Sequence, residues 1–369
     1  MSKEIRQIIE KLNSLGANDK AVLATVVDVR GSSYRLPGAK MLILENGDTF
    51  GTVSGGCLEA DVLERARKVL QTGDASVFTY DTTQDENSVF SLNMGCRGVI
   101  QILLEIASSE NNYLKFLAQS FDERRGGVVA TLISKDKNSF DKSGSRFFYD
   151  SENSFTNELS EHLTEKIRAD CQNAMREQKS AFRVYDEGTE VFLEFIKPVT
   201  SLLIFGAGAD AIPLAEISGN LGWNISIADH RPAFLTAERF PKLSKLIPSN
   251  AENYLSELYF DEQTAAVIMT HNYERDREIL SNLLKSNVFY IGALGPKRRT
   301  ENLLNELSER GEIFNDEQLT KLHAPVGLDI GADTPEAIAL SIAAEIQAVL
   351  KQRDGGFLRQ RNGSIYGRN

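Results

Sequence analysis

Cysteine is scarce. Three residues among 369, at 57, 96 and 171, are too few and too odd in number for a disulfide framework and suit a reducing, cytoplasmic setting. Long apolar runs are missing as well: nothing approaches the roughly 18 residues of a membrane span. The first helical stretch, with Ile5, Ile8, Leu12 and Leu15 at helical spacing, is broken by charges too soon for a secretory signal. Positive charge is the minority sign, 41 Lys and Arg against 52 Asp and Glu, and no basic cluster offsets the net −11, so nucleic acid and anionic membrane are not expected partners. Cys/His clusters at zinc spacing, a Gly-rich loop closing on Lys-Ser/Thr and a serine elbow are all lacking, so no protein-only metal site is expected. No internal repeat or low-complexity segment is visible.

What is present fits a globular α/β protein. Hydrophobic residues make up 41% and charged residues 25%, near the soluble average. The length exceeds what one core usually supports, and two domains are expected. Pro198 marks the expected boundary: a mixed α+β domain over 1–197, a Rossmann-like domain over 198–352, and a mobile Gly-rich tail over 353–369. In the first domain the pattern predicts strands over 21–29, 40–45 and 49–53, the last two joined at the Asn46-Gly47 turn, whose residues tolerate positive φ. A helix over 58–71, stopping at Gly73, and strands over 76–80 and 98–106 follow. The segment 111–197 carries little functional signal, and 135–156, rich in Ser, Asn and Asp, reads as an exposed loop.

After residue 201 the rhythm becomes strand, helix, strand, which indicates a parallel sheet covered by helices. Gly206-Ala207-Gly208-Ala209-Asp210-Ala211 follows the strand Ser-Leu-Leu-Ile-Phe and opens a helix, and Asp229 ends the next strand. In a dinucleotide site such glycines let the backbone approach a pyrophosphate, and the later acid bonds a ribose hydroxyl. Gly206, Gly208, Asp229 and Arg231 are therefore candidate cofactor-binding residues, for NAD(P) or another nucleotide. Asp210 puts a carboxylate where a phosphate would sit, and an equally good reading has it satisfying helix amides. His271 and Gly292 follow later strands of the same sheet and complete the candidate crevice; each also has a plain reading as a surface or packing residue.

Cys57, preceded by Gly55 and Gly56, and Cys96, between Gly95 and Arg97, lie in glycine-bearing turns rather than in a core pattern. A helix start at Cys57 and the guanidinium of Arg97 favour thiolate, the form that attacks sulfur or ligates a soft metal. A free cysteine is also often a small buried hydrophobe, the role assigned to Cys171.

The segment Arg30-Gly31-Ser32-Ser33 through Pro37-Gly38-Ala39, with Gly51-Thr52-Val53-Ser54-Gly55-Gly56-Cys57-Leu58-Glu59, resembles the N-terminal signature of the XdhC/CoxI family. Met94-Gly95-Cys96 with Arg97-Gly98 is similar to its second cysteine turn, although Arg97 stands where many relatives have a small residue. Thr270-His271-Asn272, Tyr290-Ile291-Gly292 and Pro325-Val326-Gly327-Leu328-Asp329-Ile330-Gly331 resemble its Rossmann domain. The resemblance implies an accessory chaperone for a xanthine-dehydrogenase-type apoenzyme of purine catabolism. As implied, it binds the molybdopterin-type molybdenum cofactor as cargo, keeps it during sulfuration by a cysteine desulfurase, and inserts it. Cys57 and Cys96 are then the thiol sites, with Cys57 contacting molybdenum and Gly55 and Gly56 shaping the pocket. The rival reading is an NAD(P)-dependent oxidoreductase with His271 as acid or base. A homodimer is the expected assembly.

Overall fold

The computed structural model describes residues 2–16, 19–81, 83, 98–133, 141–157, 159–185, 188–240, 244–249, 255, 258 and 260–362. The chain divides into two compact units, Met1–Pro198 and Val199–Asn369.

The first unit contains α1 (Ser2–Asn13), β1 (Ala21–Gly31), β2 (Lys40–Leu44), β3 (Thr49–Gly51), α2 (Glu59–Thr72), β4 (Ser76–Asp81) and β5 (Gly98–Ala107). It continues with α3 (Asn112–Asp122), β6 (Gly127–Leu132), β7 (Arg146–Asp150), β8 (Ser154–Asn157), α4 (Glu161–Glu177), β9 (Ala181–Val184) and β10 (Glu190–Ile196). The strands form two antiparallel sheets, β3-β2-β1-β5-β4 and β8-β7-β6-β10-β9. Read in chain order, the two halves are the same: helix, three strands, helix, two strands, with identical strand order in the sheet. The sequence shows no repeat, yet the topology repeats. The segment over 112–196, which carries no matched motif, is the second copy.

The expected loop over 135–156 is corrected by this pairing. Residues 134–140 lie outside the described set, but β7 and β8 form an antiparallel hairpin within the stretch. Phe147-Phe148-Tyr149 is too short a run to outweigh its polar flanks in sequence, and it becomes a strand because Phe147 and Phe148 are buried. Tertiary burial decides this strand more than local propensity does.

Alternation along the strands sends one face of each sheet to a helix and the other to the partner sheet. Val22, Ala24 and Val26 of β1 pack with Val62, Ala66 and Val69 of α2, whereas Val27 of β1 and Leu103 of β5 meet Phe192 of β10. On the other side Val191 and Leu193 of β10 pack with Ile167 and Cys171 of α4. The layer between the sheets also holds four buried charges. Lys40 Nζ donates to Glu194 Oε1 at 2.5 Å and to Gly38 O at 2.9 Å. Arg146 makes a two-pronged bond to Glu105 and donates to Gly144 O at 3.0 Å. The Tyr113 hydroxyl donates to Glu194, and its ring lies 4.3 Å from the Arg146 guanidinium carbon and 5.2 Å from Lys40 Nζ. The repeat extends to this detail. Each sheet contributes a base at the start of its second strand and an acid on its fifth. Each base bonds the carbonyl of a glycine two residues earlier, and both glycines have φ +91°. Burial pulls the Lys40 ammonium below its ordinary value, with Glu194 opposing.

The second unit contains β11 (Ser201–Phe205), α5 (Ala211–Asn220), β12 (Asn224–Asp229), β13 (Ser244–Pro248), β14 (Thr264–Ile268), α6 (Tyr273–Lys285) and β15 (Tyr290–Ala293). It closes with α7 (Lys297–Glu309), α8 (Asp316–Thr320), β16 (Leu322–His323) and α9 (Pro335–Leu350). Its sheet is parallel throughout, in the order β13-β12-β11-β14-β15-β16. Helices α5 and α9 cover one face and α6 and α7 the other. This is the doubly wound Rossmann arrangement, whose strand order reverses between β11 and β14. Thr334 caps α9 by accepting from Ala337 N, with Pro335 at the first helical position. Glu345 of α9 accepts from the buried Tyr290 hydroxyl and from Gly327 N at 2.8 Å, fastening the helix to β15 and the loop after β16.

Removing one member of a buried ion pair strands the other charge. Lys40→Met is expected to cost about 3–5 kcal/mol, and the volume-matched double change Lys40→Met with Glu194→Leu clearly less. Urea unfolding of the three proteins measures the difference; equal losses in the single and double variants would show that packing, and not the charge pair, sets the stability.

Candidate functional site

The turn that carries Cys57 is built from its own sequence. Glu59, the first residue of α2, reaches back: its Oε1 accepts from Ser54 N at 2.9 Å and from Thr52 Oγ1 at 2.6 Å, and its Oε2 accepts from the Ser54 hydroxyl. Ser54 Oγ in turn accepts from Gly56 N at 3.2 Å and Leu58 N at 3.1 Å. Burial tends to raise the Glu59 carboxyl, but the Ser54 and Thr52 hydroxyls hold it below the usual range. Thr52 and Ser54, which the motif reading left without a role, therefore close the turn together with Glu59. A Ser or Thr a few residues before a helix-opening Glu is the signal that could have marked them.

Within that clamp Gly56 sits at φ +104°, where a side chain would be strained. Gly55 faces the Tyr34 ring, whose nearest atom a Cβ there would meet at 3.3 Å. Gly55 and Gly56 thus have geometric reasons of their own. Leu58 is fully buried and precedes the helix as its cap residue, while Cys57 is exposed one position earlier. Tyr34, 63% exposed, comes from the Gly- and Ser-rich loop after β1, so the two signature segments meet at this turn. Cys96 and Arg97 lie outside the described residues. Cys171 is buried in the α4 core, and burial pushes its thiol up to about 12. In the second copy of the repeat three residues, 158–160, stand between β8 and α4 where 52–58 stand between β3 and α2, and none of the three is a cysteine.

In the second unit the crevice lies beyond the carboxyl ends of β11 and β14, the place where open parallel sheets bind ligands. Gly206 has φ +112°, and a Cβ there would fall 2.3 Å from Met269 O, so close passage of the two strand ends requires glycine. Gly208 is different: a Cβ would meet nothing within 4 Å. Asp210 is the cap residue of α5, but its side chain makes no capping hydrogen bond and faces His271, with Oδ2 3.8 Å from Nε2. His271 is exposed and holds φ +56°, a left-handed conformation rare outside glycine. The structure therefore brings Gly206, Gly208, Asp210 and His271 to one rim.

Two sequence-assigned residues sit differently from a ligand-facing role. Gly292 lies buried on β15, where a Cβ would be 2.4 Å from Val326 Cγ2, so packing accounts for it. Asp229 is 3% exposed. Its Oδ2 accepts from Ala207 N at 2.6 Å and Arg231 Nη2 at 2.9 Å, and its Oδ1 from Arg231 N at 2.8 Å and Nε at 3.0 Å. Burial acts to raise its carboxyl, yet these bonds bring it down to about 2. Arg239, which no motif marks, donates from Nη2 to Ala207 O at 2.9 Å across 32 residues. Arg299, in the first turn of α7, pairs with Asp276 at 2.7 Å. Among the described residues no group of three or more His, Cys, Asp or Glu could hold a metal ion, and no helix is long and apolar enough to cross a membrane.

The chain is similar to known proteins along most of its length. The family model described as XdhC Rossmann domain matches residues 202–346, and the XdhC and CoxI family model matches 14–81. A Bacillus subtilis (strain 168) protein, named as a probable xanthine dehydrogenase subunit, is 33% identical over 89% of this chain and 92% of its own length. Molybdenum cofactor insertion chaperone PaoD of Escherichia coli (strain K12) is 24% identical over 92% of this chain and 86% of its own. A crystal structure described as a xanthine dehydrogenase from Bacillus halodurans aligns with a TM-score of 0.78 at 31% identity, covering 96% of this chain and 97% of that one.

The two glycines of the crevice are expected to separate fold from binding. Gly206→Ala should lose at least about 1–3 kcal/mol of stability, while Gly208→Ala should unfold within about 0.5 kcal/mol of wild type and weaken any phosphate-bearing ligand of the crevice. Thermal unfolding and ligand titration of both variants read this out. A Gly208→Ala protein that binds as wild type does would show that the open space is not used. The carboxyl of Asp229 titrates below its ordinary 3.8, so its contribution to stability is complete above about pH 4 and is lost as pH falls toward 2. Urea unfolding of wild type and Asp229→Asn should converge over that window.

Proposed function

The chain belongs to the XdhC and CoxI family, and on that footing we propose that it is an accessory protein of a xanthine-dehydrogenase-type enzyme, binding molybdenum cofactor as cargo and delivering it to the apoenzyme. The observation that carries this reading is the exposed Cys57 thiol on a turn clamped by Glu59 and Ser54, with the Tyr34 ring beside it. A sulfur ligand held on a rigid, accessible turn suits a soft metal or its terminal sulfur. The neighbouring aromatic face suits a flat heterocycle. The second unit, taken by itself, has a glycine-lined opening at a helix start, which suits a phosphate or nucleotide group. In the finer form of the proposal, the cargo is held while a cysteine desulfurase sulfurates it, in the cytoplasm and as a homodimer.

A second reading, an NAD(P)-dependent oxidoreductase, draws on one observation, the His271–Asp210 pair at the rim of the crevice. It gives the Cys57 turn no task. Reduction of NAD by the purified chain with xanthine, well above background, would put that reading first.

Cys57→Ser is expected to leave the fold intact and to lower retained molybdenum at least about tenfold, the lower end of what loss of a supporting ligand contact costs. Metal analysis of protein loaded with cofactor and then gel-filtered measures this, and activation of the client apoenzyme should fall in parallel. Iodoacetamide at neutral pH should label Cys57 ahead of the buried Cys171, and bound cofactor should protect it. Full cofactor retention and client activation by Cys57→Ser would remove the thiol from the mechanism.

A further inference from the structure

In the dinucleotide-binding pattern the acid at the end of the second strand accepts hydrogen bonds from a ribose diol. Here that acid is spent. A carboxylate offers about four acceptor positions, and Asp229 uses them on Ala207 N and on three donors of Arg231. Nothing is left for a diol.

What the strand end presents in its place is positive. Arg231 commits Nε and Nη2 to Asp229, and among the described residues its Nη1 has no partner. Its side chain is part-exposed, and its guanidinium lies 4.1 Å from the centre of the Phe234 ring. Arg239 lies 4.9 Å from the same ring and is held by Ala207 O, with its buried Nε unpartnered. Arg275, at the start of α6, donates to Ser249 O at 3.0 Å, and Ser249 N donates to Asp229 O at 2.9 Å, so a third guanidinium is tied to the same corner. His230 stands among them: burial first, then Arg275, and Arg231 to a lesser degree hold its imidazole below the ordinary value, with Asp229 opposing. Asp210, a second carboxylate of the rim, faces His271. Three guanidiniums around one fully bonded carboxylate leave an excess of donors and positive charge.

We propose that the β12 end of the crevice binds a phosphomonoester through Arg231 and Arg239, where a ribose diol would bind in an acid-terminated site. A planar guanidinium edge is suited to phosphate oxygens, and stacking on Phe234 fixes the Arg231 plane in advance. The proposal rests on the crevice reading given above and narrows its ligand. Two sources share this chemistry: the 2′-phosphate of NADP+ and the terminal phosphate of molybdopterin.

Calorimetric titration of the full chain with NADP+, NAD+ and molybdopterin tests it. NADP+ binding at least tenfold tighter than NAD+ supports the proposal with a dinucleotide as the source. Molybdopterin binding that Arg231→Ala weakens tenfold or more, with neither dinucleotide bound, supports it with the pterin as the source. Arg231→Ala also uncovers Asp229, so a chain that prefers NADP+ should shift toward NAD+. Should that variant fail to fold, the wild-type ratio decides alone, and for molybdopterin Arg239→Gln takes its place. Equal or tighter binding of NAD+ overturns the proposal and leaves the crevice reading standing. Molybdopterin binding indifferent to these arginines does the same. Absence of binding by all three ligands overturns both.

Discussion

The buried quartet of Lys40, Glu194, Arg146 and Glu105, gathered around Tyr113, is the constraint on which the first unit depends. Each sheet brings one base and one acid to the layer between them, and each base finds its acid on the other sheet. A sheet packed alone would bury two uncompensated charges, so neither can settle without its counterpart. Slipping β2 or β10 by one residue within its own sheet would turn Lys40 or Glu194 to the opposite face, which makes the network a register lock as well as a joint. Its reach extends to the thiol turn. Lys40 bonds Gly38 O, a side chain at Gly38 would strike Glu194 at 2.9 Å, and Gly38 ends the loop whose Tyr34 ring lies on Gly55. The position of the exposed sulfur is thereby tied to an ion pair in the core.

The second unit achieves its geometry by a different means. Gly206 permits β11 to turn beside the end of β14, and Asp229 draws in the Ala207 amide from the next strand over. The carboxylate that a ligand would ordinarily complete is completed by Arg231. The strand end is thus closed by the chain's own donors, Ala207 N and Arg231. Local rules read as a cofactor fingerprint are here used partly for closing the backbone.

The sequence made the parallel sheet legible because its signals are local: strand, glycine turn and helix follow one another within a dozen residues, and the caps at Thr334-Pro335 and Gly73 are one-residue statements. The Cys57 turn was legible for the same reason. The repeat was not, since its copies agree in element order and in a few positions, such as Gly38-x-Lys40 and Gly144-x-Arg146, too sparse to stand out. The pairing of residues 40 and 194 has no local trace across 154 positions. Nor does Arg231 announce that it will take Asp229 from a ligand; the two are close in sequence, but the choice depends on burial and on the Ala207 amide arriving from elsewhere. The β7 and β8 hairpin was obscured because polar residues surround a three-residue aromatic core.

The joint between the sheets also sets an order in time. Glu194 leaves the ribosome 137 residues after Cys57, and Arg146 89 residues after it. At synthesis rates of about 5–20 residues per second the 154 residues from Lys40 to Glu194 take on the order of ten seconds and the 41 from Glu105 to Arg146 roughly a few seconds, so Lys40 is the last of the first copy's two charges to be neutralised. Until then its inner face is a half-interface with uncompensated charge and a row of apolar side chains in water. Contacts this distant in sequence are slow to close. A nascent chain interrupted before β10 would carry the cysteine turn without the core that fixes the Gly38 loop against it, so the placement of that sulfur is not set until the whole first unit has been made.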